Sequence, residues 1–253
     1  FWWEWIHRFL GRLIGISFLI PLVYFSFKVK IIKLKNLYLI FFLICFQGFI
    51  GWYMVSSGLV DRVDVSHYRL SVHLLVAFFI LSLILWNYLK LKNYKIPKFK
   101  LNFYIPLIFL SLIYCQISIG AFVSGMDAGK IYNTWPLMGL TYFPDDNSFF
   151  NLFNLNAFND PSLVQFIHRN LAYIIFFFYI YIAYEVYQKK LFNFYFSICL
   201  TGLLLVVQIV LGILTLLYGA QIFLSSMHQI SSIFLVSSCI YFLYLNSRSS
   251  SQP

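Results

Sequence analysis

The chain has 253 residues, of which 61% are hydrophobic and only 10% carry a formal charge. Soluble domains carry about 25% charged residues, so this composition excludes one and describes an integral membrane protein. The net charge of +10 does not describe a nucleic-acid binder either, because the lysines fall in short clusters between apolar runs and position decides what a basic excess means.

A spanning helix needs about 20 mostly apolar residues. In chain order seven stretches qualify: 5–27, 37–59, 67–89, 102–124, 164–187, 193–218 and 222–245. The first opens FWWEWIHRFLGRLIG, with Glu4, His7, Arg8 and Arg12 at its mouth, where ionisable side chains are costly unless they have a task. The connections KVKIIKLKN (28–36), KLKNYKIPKFK (90–100) and QKK (188–190) are basic. LVDRVDVS (59–66) and the stretch from Gly125 to Ser162 are acidic or neutral. Positive residues stay inside, so Phe1 is expected outside and the C-terminus inside. The only long connection, Gly125 to Ser162, is aromatic-rich and predicted to pack on the outer membrane face; Asn133, Thr134 and Trp135 could face a cavity beneath it. Cys45, Cys115, Cys199 and Cys239 all lie within apolar runs without a CxxC, a pattern of core packing that argues against a disulfide or zinc site.

An internal repeat organises these spans. Ile6-His7-Arg8 recurs as Ile167-His168-Arg169, and Gln47 to Gly51 as Gln208 to Gly212, both 161 positions later. His73 recurs as His228 at an offset of 155. The fourth span carries a third Gln-x-x-x-Gly, Gln116 to Gly120, ahead of the second His-Arg helix. The expected fold is therefore an all-α polytopic membrane protein of two pseudo-symmetric four-helix bundles, with seven of eight helices present and the first missing. Residues 1–95 would be three helices of the N-terminal bundle and 96–253 the C-terminal bundle.

Each half contributes two histidines on alternate helices at one outer depth, His7 with His73 and His168 with His228. Neutral imidazole is a ligand for iron, copper and zinc. Two per bundle leave a zinc site short of ligands, but suit the two axial positions of a haem. Single histidines can also be plain hydrogen-bonded packers. His67 has no counterpart and is expected to sit at the interface. Arg8, Arg169 and Arg69 stand near the histidines, where guanidinium could hold haem propionates or snorkel to headgroups. Glu4 lies three residues before His7, where the second half has Gln165. It could relay a proton at the edge of a bound group, or simply pair with Arg8. The Gln-x-x-x-Gly helices read as close-packing surfaces.

At these residues the chain resembles the haem A synthase family, in its alphaproteobacterial and mitochondrial branch. FWWEWIHRFLGRLIG is similar to that family's Glu-x-x-His-Arg helix, and LVDRVDVSHYRLSVHL to its next histidine helix. GAFVSGMDAGKIYNTWPLM is similar to its long outer-loop signature, and QFIHRNLAY with SSMHQISS to its second pair. The resemblance runs from Phe1 to about Leu245. It implies a haem b cofactor between His168 and His228, and a substrate, haem O, near His7 and His73 with Glu4 close to the reacting methyl. That methyl would be oxidised to a formyl by successive hydroxylations, giving haem A for cytochrome oxidase. The implied setting is a bacterial cytoplasmic or mitochondrial inner membrane, with histidine sites toward the outer side. Partners would be lipid and the haem O synthase that supplies substrate; the electron acceptor and self-association stay open. Two other classes compete: a b-type di-haem cytochrome for quinone-linked electron transfer, and a transporter built on the repeat. A transporter would carry its polar residues at the midplane, whereas here they cluster at the outer rim.

Overall fold

The computed structural model describes residues 2–58, 65–92 and 100–248. Phe1, most of LVDRVDVS, most of KLKNYKIPKFK and the boundary expected at 95/96 lie outside the described residues. Among the described residues there are seven helices long and apolar enough to cross a bilayer, and no named strand. A bilayer core offers no water for unpaired backbone groups, so helices are one of two architectures that can span it. The protein is thus an all-α, multi-pass membrane protein.

The spanning helices are α1 (Trp2–Lys28), α2 (Ile31–Gly58), α3 (His67–Leu91), α4 (Tyr104–Gly125), α5 (Pro161–Gln188), α6 (Phe192–Leu217) and α7 (Ile222–Arg248). All seven predicted spans are present, with one informative difference. Ile31 to Asn36, expected in a basic loop, form the first turns of α2. Lys33 and Lys35 lie in those turns; such long side chains carry their charge to the interface along an apolar stem, so a lysine cluster need not end a helix. At α5, Asp160 accepts from Leu163 N at 3.0 Å as N-cap and Pro161 takes the first turn, the expected chemistry of a helix start.

α4, α5, α6 and α7 pack in a closed ring, each against the next and α7 back on α4. α3 packs on α4 and α7, α2 on α3, and α1 on α2. α7 is the central element, with Val236, Cys239, Phe242 and Tyr244 at 1% exposure or less. Outward-facing apolar side chains such as Ile20, Phe42, Leu203 and Phe196 are exposed to what would be lipid.

The seams are built from small and hydroxylated residues, as helices in a bilayer gain from close approach and interhelical hydrogen bonds. Ser71 and Ser118 meet at 2.7 Å between α3 and α4, and Ser82 reaches Tyr114 Oη at 2.6 Å. Thr201 donates to Ser238 at 3.1 Å across α6 and α7. Asn246, fully buried, accepts from Leu101 N at 2.9 Å and donates to Leu101 O at 3.2 Å, tying the C-terminal end of α7 to the entry of α4.

The tightest approach is at Gly202 on α6. A Cβ there would lie 2.0 Å from Tyr179 Oη and 2.6 Å from Tyr179 Cζ. Tyr179 is held in place by donating to Ile198 O at 2.9 Å. Gly202→Ala is expected to cost about 1–3 kcal/mol by overpacking, read as a lower thermal midpoint of the detergent-solubilised protein. An unchanged midpoint would refute the α5–α6 approach described here.

Candidate functional site

Helix direction alternates along the chain, and this brings four histidines to one level. His7 is the sixth residue of α1, His73 the seventh of α3, His168 the eighth of α5 and His228 the seventh of α7. At 1.5 Å per residue each lies about 10 Å below its helix start. His73, His168 and His228 are half-buried and His7 is exposed.

Three of these histidines sit in the same local arrangement. Gln47 Nε2 on α2 donates to His73 O at 3.0 Å and lies 3.2 Å from His73 Nε2. Gln116 Nε2 on α4 donates to His168 O at 3.0 Å and lies 3.2 Å from His168 Nε2. Gln208 Nε2 on α6 donates to His228 O at 2.9 Å. One turn further on, the glycine of each Gln-x-x-x-Gly faces the imidazole. A Cβ on Gly51, Gly120 or Gly212 would come within 3.1, 3.1 or 3.0 Å of the Cε1 of His73, His168 or His228. The close packing expected of these motifs is therefore real, but what the glycine admits is the edge of an imidazole. The signal was in the sequence: three such motifs, each on the helix before a histidine.

The residues fit a bis-imidazole haem. His7 and His73 ring centroids are 6.5 Å apart. Two imidazoles on opposite sides of one iron, each with a metal–nitrogen bond of about 2 Å, place their centroids about 6 Å apart. The Nδ1 atoms of His73, His168 and His228 are buried without a hydrogen-bond partner, which is costly for a group with no task. Among the described residues no three or more His, Cys, Asp or Glu side chains gather into a metal-binding group. All four cysteines are free thiols.

The surrounding charges are disposed differently in the two halves. Glu4 forms an ion pair with Arg8 one turn along α1, at an exposed helix mouth. Its counterpart Gln165 is 2% exposed and donates to Tyr132 O at 3.0 Å. Arg169 joins it there: Nη2 donates to Tyr132 O at 2.9 Å, and Nη1 to Thr134 O at 2.9 Å and Leu137 O at 3.3 Å. Arg169 thus pins the loop between α4 and α5. Arg69 stacks its guanidinium over Tyr53 at 4.9 Å, which holds α3 to the C-terminal part of α2. His67 meets Phe122 edge-on at 5.1 Å, and its Cα would lie 2.9 Å from a Cβ on Gly125. It stands where the start of α3 meets the end of α4.

The loop between α4 and α5 is a self-bonded cap. Asn133 Nδ2 donates to Gly129 O at 3.0 Å and to Leu216 O at 2.9 Å near the end of α6. Thr134 Oγ1 donates to Leu137 O and accepts from Gly139 N, both at 2.9 Å. Both side chains therefore bind the loop and helix end, where the sequence suggested they could face a cavity; Trp135 is partly exposed. Tyr132 donates to Asp145 Oδ1 at 2.5 Å, and Ser162 to Asp146 Oδ2 at 2.6 Å.

These contacts set a pH window for the loop. Burial first, then the Asp145 and Asp146 carboxylates, push the Tyr132 hydroxyl up to about 12. Burial works against the Asp146 carboxylate, but bonds from Ser162, Asn147 and Tyr132 outweigh it and hold its pKa below the usual 3.8. Tyr132 then stabilises the loop fully below about pH 10, its unfolded value, and loses this as pH rises toward 12. Asp146 stabilises it above the ordinary carboxylate range and loses this as pH falls below that range. Cleavage of the loop by added protease is expected to be flat between these limits and to rise above about pH 10. Tyr132→Phe should remove the alkaline rise; if it persists in that variant, Tyr132 is not its source.

Residues 1–240 match the family profile described as cytochrome oxidase assembly protein, COX15-CtaA. The chain is 46% identical over 251 residues to a protein named heme A synthase from Pelagibacter ubique, covering 98% of this chain and 74% of the relative. It is 41% identical to a heme A synthase of Rickettsia bellii, covering 94% and 73%. It is 40% identical to one of Ehrlichia ruminantium, covering 95% and 69%.

Proposed function

The chain belongs to the family of cytochrome oxidase assembly proteins, and from this premise we propose that it is a haem A synthase, an oxidoreductase that converts a porphyrin methyl of haem O to a formyl group. The observation that carries the reading is the pairing of like histidine sites with unlike neighbours: an ion-paired carboxylate, Glu4, beside His7, and a buried amide, Gln165, beside His168. An electron carrier with two equivalent haems would have no use for that difference.

In this reading the two halves divide the work. Residues 96–253 hold haem b between His168 and His228, which supplies one-electron redox chemistry when bound. Residues 1–95 hold the substrate, haem O, between His7 and His73. Glu4, as a carboxylate paired with Arg8, takes a proton as the methyl is hydroxylated. Arg8 and Arg69, at the outer rim, offer guanidinium groups for the substrate's propionates, and Arg169 adds positive charge beside the second site while it fixes the cap. The lysine-rich ends face the inner compartment and the histidines the outer one, in a bacterial cytoplasmic or mitochondrial inner membrane. Haem O is passed to the N-terminal half by the synthase that makes it.

Extraction of the purified protein's porphyrins with mass spectrometry tests this. Haem O, its hydroxylated form or haem A is expected beside haem b. Haem b alone, with Glu4→Ala leaving cytochrome oxidase assembly intact, would sink the proposal.

A further inference from the structure

We propose that Gln47, Gln116 and Gln208 are positioning residues for the haem-ligating histidines, each setting the ring orientation of the imidazole on the next helix and serving as hydrogen-bond partner to its non-ligating nitrogen. This rests on the bis-histidine reading above and goes beyond it, since it assigns a role to residues that touch neither haem nor substrate.

One geometry occurs three times, on α2–α3, α4–α5 and α6–α7, with the amide on the histidine carbonyl at 2.9–3.0 Å and the glycine one turn on against Cε1. Packing alone would need the small residue but not an amide aimed at the histidine. The glutamine holds the backbone and the glycine sets the depth, so the imidazole is confined in rotation as well as position.

The unpartnered atoms complete the case. Gln47 Oε1 and Gln116 Oε1 are buried with no partner, and so are Nδ1 of His73 and of His168. Each module therefore contains one unused acceptor on the glutamine and one unused nitrogen on its own histidine. An imidazole with one nitrogen on a metal carries a proton on the other, and ligating histidines nearly always donate that proton to a protein acceptor. The amide stands 3.2 Å from Nε2 of His73 and of His168, so the orphaned Nδ1 is the nitrogen left for the metal and Nε2 the non-ligating one. A primary amide can present either end by turning about its last torsion, and the glutamine oxygen is then the acceptor for the Nε2 proton. The third module differs: Gln208 Oε1 accepts from Ser231 Oγ, a hydroxyl that also lies 2.9 Å from His228 O. The two ligands of the C-terminal haem are thus unequally supported, with His168 the one whose glutamine oxygen is uncommitted.

A stronger acceptor on the far nitrogen makes imidazole a better donor and favours ferric iron; losing it does the opposite. The test is the midpoint potential and low-spin electron paramagnetic resonance signal of the resident haem in the purified, haem-loaded protein. Gln116→Leu is expected to raise the potential and Gln116→Glu to lower it below that of the unmodified protein, with the resonance anisotropy altered in both. If the glutamine only braces the backbone, both variants lose the same bond to His168 O, and shifts of one sign, or none, overturn the proposal. Where either variant fails to fold, Ser231→Ala decides. Freeing Gln208 Oε1 for His228 should lower the potential, and an unchanged or raised value overturns the proposal. Absence of a low-spin bis-imidazole signal in the unmodified protein would instead overturn the haem reading beneath it.

Discussion

His168→Ala or His228→Ala is expected to strip the protein of its resident haem and abolish turnover, whereas His7→Ala or His73→Ala should leave that haem in place and abolish turnover alone. The two pairs lie on equivalent helices at equivalent depth along them, with His7 exposed and the other three half-buried, so depth along the helix does not cause the expected difference. It follows from what each pair would hold: a cofactor retained through purification, or a substrate that must enter and leave. Loss of an outer partner of a metal-ligating group already costs roughly 10–100-fold in affinity, so loss of a ligand itself should cost at least that in haem retention. Haem content by extraction and product by mass spectrometry separate the two phenotypes. Retention of haem b in His168→Ala with its loss in His7→Ala would reverse the assignment of the halves.

Glu4→Gln is the second large effect. Placing a proton acceptor in the transition state contributes about 10²–10⁴-fold in rate, and turnover is expected to fall by that order while haem content stays at the unmodified level. The substitution makes the first half resemble the second, where Gln165 stands at this position. The environments explain why the exchange is not symmetrical. Glu4 lies at an open helix mouth, ion-paired with Arg8. Gln165 is almost wholly buried and donates to Tyr132 O. Gln165→Glu would replace that donor by an acceptor facing a carbonyl, at a cost of about 1–3 kcal/mol, read as a lower thermal midpoint with no gain in turnover. Full activity in Glu4→Gln would remove the carboxylate from the mechanism.

Much of this architecture was legible in one dimension. The bilayer imposes a run length of about 20 apolar residues, and all seven runs became helices. The repeated His-Arg pairs and the Glu4/Gln165 difference were visible because a duplicated helix keeps its register, whatever it packs against. Other readings needed the folded chain. Ile31 to Asn36 begin α2 although they read as a basic loop, because composition counts a lysine as polar along its whole length, whereas its stem is apolar. By sequence alone Asn133 and Thr134 could face a cavity, and only the fold shows that their amide and hydroxyl satisfy carbonyls of the loop and of α6. A turn's internal hydrogen bonds depend on its path, and composition does not report a path.

The sequence by itself determined the membrane class, the seven spans, the duplication and the four histidines at one depth, since each depends only on local periodicity and spacing along a helix. The tertiary structure alone decided which side chain each histidine meets. Gln47 with His73, Gln116 with His168 and Gln208 with His228 are pairs between helices. Their meeting depends on how far one helix slides and turns against the next. That register is set by the closeness of approach at Gly51, Gly120 and Gly212, a quantity that arises only when two helices are packed together.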